Sequence, residues 1–93
     1  MTRFAGAVLT AILLAAVPAM AAEQTVTLRV SNMDCAACPH IVRGSLQAVP
    51  GVKAVAVSFA DKTARVTYDD AQTTVAALTR ATANAGYPSA PMK

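Results

Sequence analysis

The spacing of apolar and polar positions changes period several times along the chain. Residues 24–31, QTVTLRVS, alternate strictly, with Val26, Leu28 and Val30 on one side and Thr25, Thr27 and Arg29 on the other. That is the pattern of a half-buried strand. In PHIVRGSLQAV, residues 39–49, Val42, Leu46 and Val49 recur at helical spacing; Pro39 suits a first turn and Pro50-Gly51 ends the element. Alternation returns in VKAVAVSF through Val55, Val57 and Phe59. ADKT then turns the chain, and ARVTYD alternates through Ala64, Val66 and Tyr68, so the two runs predict a hairpin. TTVAALTRATANAG predicts a second helix, with Thr73 or Thr74 as its cap. Val75, Leu78 and Thr82 mark one face of it, and Gly86 suits the left-handed position past its end. In the tail, YPSAPMK, Pro88 and Pro91 cannot donate ladder hydrogen bonds, so a strand there is confined to a sheet edge.

Strand, helix, strand, followed by strand, helix, strand, is the order of an α+β, ferredoxin-like βαββαβ sandwich. It has one four-stranded antiparallel sheet with two helices on one face. In that topology the first and third strands are central and the last is an edge.

The chain starts differently. A single charge, Arg3, precedes an apolar run from Phe4 to Val17, then Pro18 and the small-residue site Ala19-Met20-Ala21. A basic end, a short apolar stretch and an A-x-A site read as a secretory signal peptide. Residues 1–21 are therefore expected to be the leader and residues 22–93 the working domain. Cleavage after Ala19 is the second option, and an uncleaved anchor is the rival. A spanning helix needs about 20 apolar residues, which this run reaches only by counting Pro18 and the alanines after it.

Composition then narrows the function. Without Arg3 the chain carries seven basic and five acidic residues, a net charge of +2, and the basic ones are scattered. With no Trp and no basic run interleaved with aromatics, nucleic acid is not an expected partner. One histidine, and no set of nucleophile, base and orienting acid, speaks against catalysis.

The chemistry sits in SNMDCAACPHIV, residues 31–42, where Cys35 and Cys38 are the chain's two cysteines. A stabilising staple is a poor use of them, since closing a four-residue loop gains only about 2 kcal/mol. Redox exchange is a second possibility, because C-x-x-C beside a helix also marks thiol oxidoreductases. Here, however, Ala36-Ala37 separate the cysteines and the sheet is short. Haem attachment needs His directly after the second cysteine, where Pro39 stands. A closed zinc site takes four ligands, whereas Cys35, Cys38 and His40 supply at most three. A soft cation that accepts two sulfurs, copper(I) or mercury(II), fits the pair. A helix starting near Cys38 favours the thiolate, with Asp34 opposing.

Met33, Cys35 and Cys38, together with GYP at residues 86–88, resemble the heavy-metal-associated domain family, whose signature is a Met-x-Cys-x-x-Cys loop between the first strand and first helix. The likeness runs from about Gln24 to Tyr87. Copper chaperones and the amino-terminal domains of copper-pumping ATPases share the motif, but a free-standing domain with an export signal is similar to the periplasmic mercury-binding branch. Phrases such as QTVTL, CAACP, TYDD and ATANAGYP strengthen that match.

The resemblance implies a monomeric periplasmic carrier. It would hold one mercury(II) ion as cargo between Cys35 and Cys38 and deliver it to an inner-membrane mercuric transport protein, without itself staying in the membrane. The more exposed Cys35 would exchange first. Copper(I) carriage and thiol–disulfide exchange stand as alternatives. The same resemblance makes Met33 a buried anchor and Tyr87 a neighbour that shields the site, or else an aromatic that only closes the sheet end. His40 departs from the family's usual apolar residue; it reads as a partly exposed helix residue, with an auxiliary ligand or pH-sensitive neighbour as the alternative. Asn32 replaces the family's usual glycine at a position where Asn tolerates a left-handed backbone.

Overall fold

The computed structural model describes residues 22–92. The expected leader, residues 1–21, lies outside the described residues, as does Lys93. Strand β1 (Glu23–Val30) leads to helix α1 (Cys38–Gln47), then strands β2 (Val52–Ser58) and β3 (Thr63–Asp69), helix α2 (Val75–Asn84) and strand β4 (Ser89–Pro91). The sheet order is β2-β3-β1-β4, and every neighbouring pair is antiparallel. This is the expected ferredoxin-like sandwich, with β1 and β3 central and the proline-bearing β4 at an edge.

Period-two patterning decides which side of the sheet is covered. Leu28 and Val30 of β1 and Ala64, Val66 and Tyr68 of β3 are buried, and Val55 and Val57 of β2 pack against them. Val42 and Leu46 of α1 and Leu78 of α2 close the same cluster, as their helical spacing predicts. The opposite face keeps Thr and Arg in water, where Thr25 and Thr67 share a hydrogen bond across the ladder at 3.2 Å and Thr27 lies opposite Arg65.

The element ends follow local chemistry. Thr74, of the two candidate caps, accepts the Ala77 N–H at 3.1 Å at the start of α2. At its end Gly86 takes φ +99°, so that the Gly86 N–H reaches the Ala83 carbonyl at 2.9 Å and the Tyr87 N–H reaches the Thr82 carbonyl at 2.8 Å. That pair of bonds is a Schellman motif.

Two expectations need correction. Helix α1 stops at Gln47, so Val49 lies beyond it; the Val49 N–H bonds to the Leu46 carbonyl at 3.1 Å as the chain tightens before Pro50. Val49 still packs on the core. Strand β2 ends at Ser58, and Phe59 turns outward, 42% exposed. The hairpin turn takes it out of the alternation, and its ring meets the Lys62 ammonium instead, 4.0 Å from the centroid.

Two turns carry testable energetics. Gly51 has φ +98°, and a Cβ there would lie 2.7 Å from Gln72 Cβ. Gly51→Ala thus adds both left-handed strain and a clash. It is expected to cost about 2 kcal/mol, lowering the thermal midpoint by roughly 10 °C in calorimetry. Asp69 accepts the Ala71 N–H at 2.9 Å and the Gln72 side-chain amide at 2.9 Å. Those two bonds, with a smaller contribution from the Lys53 charge, hold its carboxyl below the usual carboxylate value against the opposing effect of burial. A depressed carboxyl stabilises the fold above its unfolded value and loses that contribution as pH falls through the folded one. The stability gap between the native chain and Asp69→Asn, read from urea melts, should be full at pH 6 and shrink below about pH 3.9.

Candidate metal centre

The thiol loop spans the gap between β1 and α1. Its first turn is left-handed: Asn32 has φ +68°, a conformation that Asn adopts more readily than most residues. Its side-chain nitrogen donates to the Gly86 carbonyl at 3.3 Å, and the Ser31 N–H donates to the Pro88 carbonyl at 2.8 Å. The segment GYP therefore braces the base of the loop. Met33 follows with its side chain fully buried in the core. Above it the backbone emerges, leaving residues 34–37 exposed.

The two cysteines occupy different environments. Cys35 is exposed in the loop, whereas Cys38 is the first residue of α1, 4% exposed and part of the core cluster. Their Cα atoms are 5.1 Å apart and the sulfurs are joined as a disulfide. The Cys35 N–H points to Cys38 Sγ at 3.2 Å, and the Cys38 N–H bonds to the Cys35 carbonyl at 3.0 Å.

Helix starts leave several N–H groups without intrahelical partners. Here Pro39 removes one of them, and the His40 N–H returns to the Ala37 carbonyl at 3.1 Å. Ala37 at the N-cap offers no side-chain acceptor, and the first turn has no acidic residue. The positive end of the helix dipole is thus left to the sulfurs, which favours thiolate once the disulfide is reduced.

Lys62 was not singled out from the sequence. It sits at φ +57° in the β2–β3 turn, and its ammonium donates to the Met33 carbonyl at 2.8 Å. Its own carbonyl accepts the Val30 N–H at 2.9 Å. The hairpin turn thereby holds the loop from the side opposite GYP. The one hint in the sequence is a lysine in a tight turn, three residues after Phe59.

The other expected site residues fall as follows. His40 is exposed on α1. Tyr87 is half-buried and packs on the cluster that includes Met33 and Cys38. Among the described residues no three His, Cys, Asp or Glu side chains converge into a metal-binding group. Once reduced, the pair would present two sulfurs in unequal settings, one exposed in the loop and one buried at the helix start.

Comparison with known proteins places this geometry. Residues 27–88 match the model of the heavy-metal-associated domain. A mercuric transport protein periplasmic component from Shewanella putrefaciens is 49% identical over 83 residues, covering 89% of this chain and 91% of the relative. The crystal structure of oxidised MerP from Ralstonia metallidurans CH34 superposes with a TM-score of 0.76 at 51% identity, covering 77% of this chain and all of that one. The mercury-bound form of MerP, the periplasmic protein of the bacterial mercury detoxification system, superposes with a TM-score of 0.69, also at 51% identity and with the same coverage.

Lys62→Met keeps the side-chain stem but removes the charged donor, a bond class of about 1.5–3 kcal/mol when protected from water. At this half-buried position amide hydrogen exchange at residues 34–37 should quicken roughly tenfold, while core amides of β1 and β3 hold. Lys62→Arg should restore protection. Unchanged exchange in the Met variant would remove Lys62 from the bracing of the loop.

Proposed function

The chain belongs to the heavy-metal-associated domain family, and from that premise we propose that it is a periplasmic mercury(II) carrier that takes up one ion between Cys35 and Cys38 and passes it to an inner-membrane mercuric transport protein. The observation that carries the reading is the pairing of an exposed loop sulfur with a buried sulfur at a helix start. Kinship with periplasmic mercuric transport components supports the compartment and the cargo. Residues 1–21 serve as the export signal. No helix among the described residues is long and apolar enough to cross a membrane.

In the disulfide form the pair is metal-incompetent. Two electrons and two protons from a dithiol reductant cleave the S–S bond and yield two thiols, while the reductant closes to its own disulfide. Mercury(II) then displaces two protons and bridges the two thiolates. With metal–thiolate bonds near the zinc value of about 2.3 Å, a linear site needs sulfurs about 4.6 Å apart. Cys38 is anchored in the core, so Cys35 makes that movement.

Handover proceeds by thiolate exchange, as in disulfide chemistry, where access and leaving-group basicity set the rate. An incoming thiolate adds to the ion, giving a three-coordinate intermediate. Cys35 leaves first because solvent and partner can reach it. No bond within an organic substrate is made or broken, so the role is carriage.

Native mass spectrometry of the reduced domain should show one mercury(II) per chain. Cys35→Ser and Cys38→Ser should each lose far more than the roughly 10–100-fold in affinity that removing a residue which merely orients a ligand costs. Wild-type affinity in either variant would overturn the paired-thiolate site. Anaerobic competition with copper(I), offered at equal concentration, separates the mercury carrier from a copper carrier of the same fold.

A further inference from the structure

The carboxylate just past β3 addresses the residue just ahead of β1. Asp70 Oδ1 accepts a hydrogen bond from the Ala22 backbone nitrogen at 3.2 Å, and Asp70 Oδ2 accepts one from Gln24 Nε2 at 3.3 Å. The Asp70 N–H donates to the Ala22 carbonyl at 3.0 Å. Both carboxylate oxygens and the backbone of Asp70 thus engage the start of the sheet. Among the described residues, positive charge is scarce at this corner. Glu23 lies directly opposite Asp69 in the β1–β3 ladder, and like charges so placed repel. Against Glu23, Asp69 and Asp70 stands Lys53 of β2, whose charge acts on Asp69. A cation at the Ala22 nitrogen would meet Asp70 at hydrogen-bond distance and offset that repulsion.

We propose that the fold holds a receptor for the amino terminus that leader removal at Ala21–Ala22 creates: Asp70 pairs with the new α-ammonium of Ala22. Water adds across the peptide bond under an export peptidase, and the C–N bond breaks. Ala21 leaves with the leader as a carboxylate, and the Ala22 nitrogen takes up a proton to become an ammonium. The 3.2 Å contact then changes from a neutral amide bond to a charge-assisted one, roughly twice as strong. Cleavage after Ala19 would put the amine two residues away and leave Asp70 with an amide partner.

The pairing rests on residues 1–21 being a cleaved leader and is independent of the metal. It also has a pH sense. An amine paired with a carboxylate has a raised pKa, so its stabilisation is full below the ordinary α-amino value of about 7.7–8.0 and is lost as pH rises through the folded value.

The test uses the full-length chain, exported to the periplasm and purified. Intact mass should give Ala22 as the first residue. At pH 7 in low salt, acylation of its amine by a limiting reagent, followed by peptide mass spectrometry, should run roughly threefold slower than in Asp70→Asn. That is the factor for a half-unit shift, a size suited to an exposed pair. In 1 M salt, where the Debye length falls to about 3 Å, the two rates should converge. A variant with one glycine inserted ahead of Ala22 displaces the amine, leaves Asp70 intact and should react at the faster rate. A first residue other than Ala22 would overturn the processing site, and equal rates at low salt would overturn the pairing. Mercury(II) titration of the same samples reads the carrier function separately, and Asp70→Asn should leave it unchanged.

Discussion

The full burial of Met33 is the constraint on which the thiol loop depends. Pulling that side chain into the core between β1 and α1 forces the backbone down just before Asp34 and lets it rise again immediately afterwards. The rise presents Cys35 to solvent, and the next helical turn brings Cys38 back into the core. A hydrophobic contact therefore sets the heights of two sulfurs. The carbonyl that Met33 leaves behind would be costly to bury unpaired, and the Lys62 ammonium satisfies it from the neighbouring hairpin.

Unequal thiols suit a carrier. A site that must release its ion needs one ligand that a competing thiolate can replace, and one that keeps hold until replacement is complete. Cys35 is reachable because residues 34–37 are exposed. Cys38 is fixed because α1 and the core position it. Bonds to Gly86 and Pro88 on one side and to Lys62 on the other hold the base of the loop.

The fold does not need the disulfide to hold it together. Leu28, Met33, Val42, Leu46, Val66 and Leu78 are completely buried, at about 1.5–3 kcal/mol each relative to exposure. Closing the four-residue loop contributes only about 2 kcal/mol. Opening the disulfide would therefore leave the sandwich intact. That separation of stability from chemistry is what lets so small a domain carry a reactive site.

Patterns that repeat over a few residues were legible in the chain itself. Alternation through Val26, Leu28 and Val30, helical spacing of Val42 with Leu46 and of Leu78 with Thr82, and the stops at Pro50-Gly51 and Gly86 report local backbone geometry. They determined the element order and, through it, the sheet topology. The Cys35–Cys38 spacing likewise announced a close sulfur pair, because the loop and the helix start that hold it are local features. Tertiary structure decided what depends on distant partners. Lys62 reaches Met33 across 29 residues, Ala22 reaches Asp70 across 48, and Asn32 reaches Gly86 across 54. No period or propensity encodes which carbonyl or carboxylate a long side chain or a strand end will meet, because that follows from register. The same limit explains Phe59, which continues the alternation of β2 on paper but is turned outward by a hairpin that closes one residue earlier.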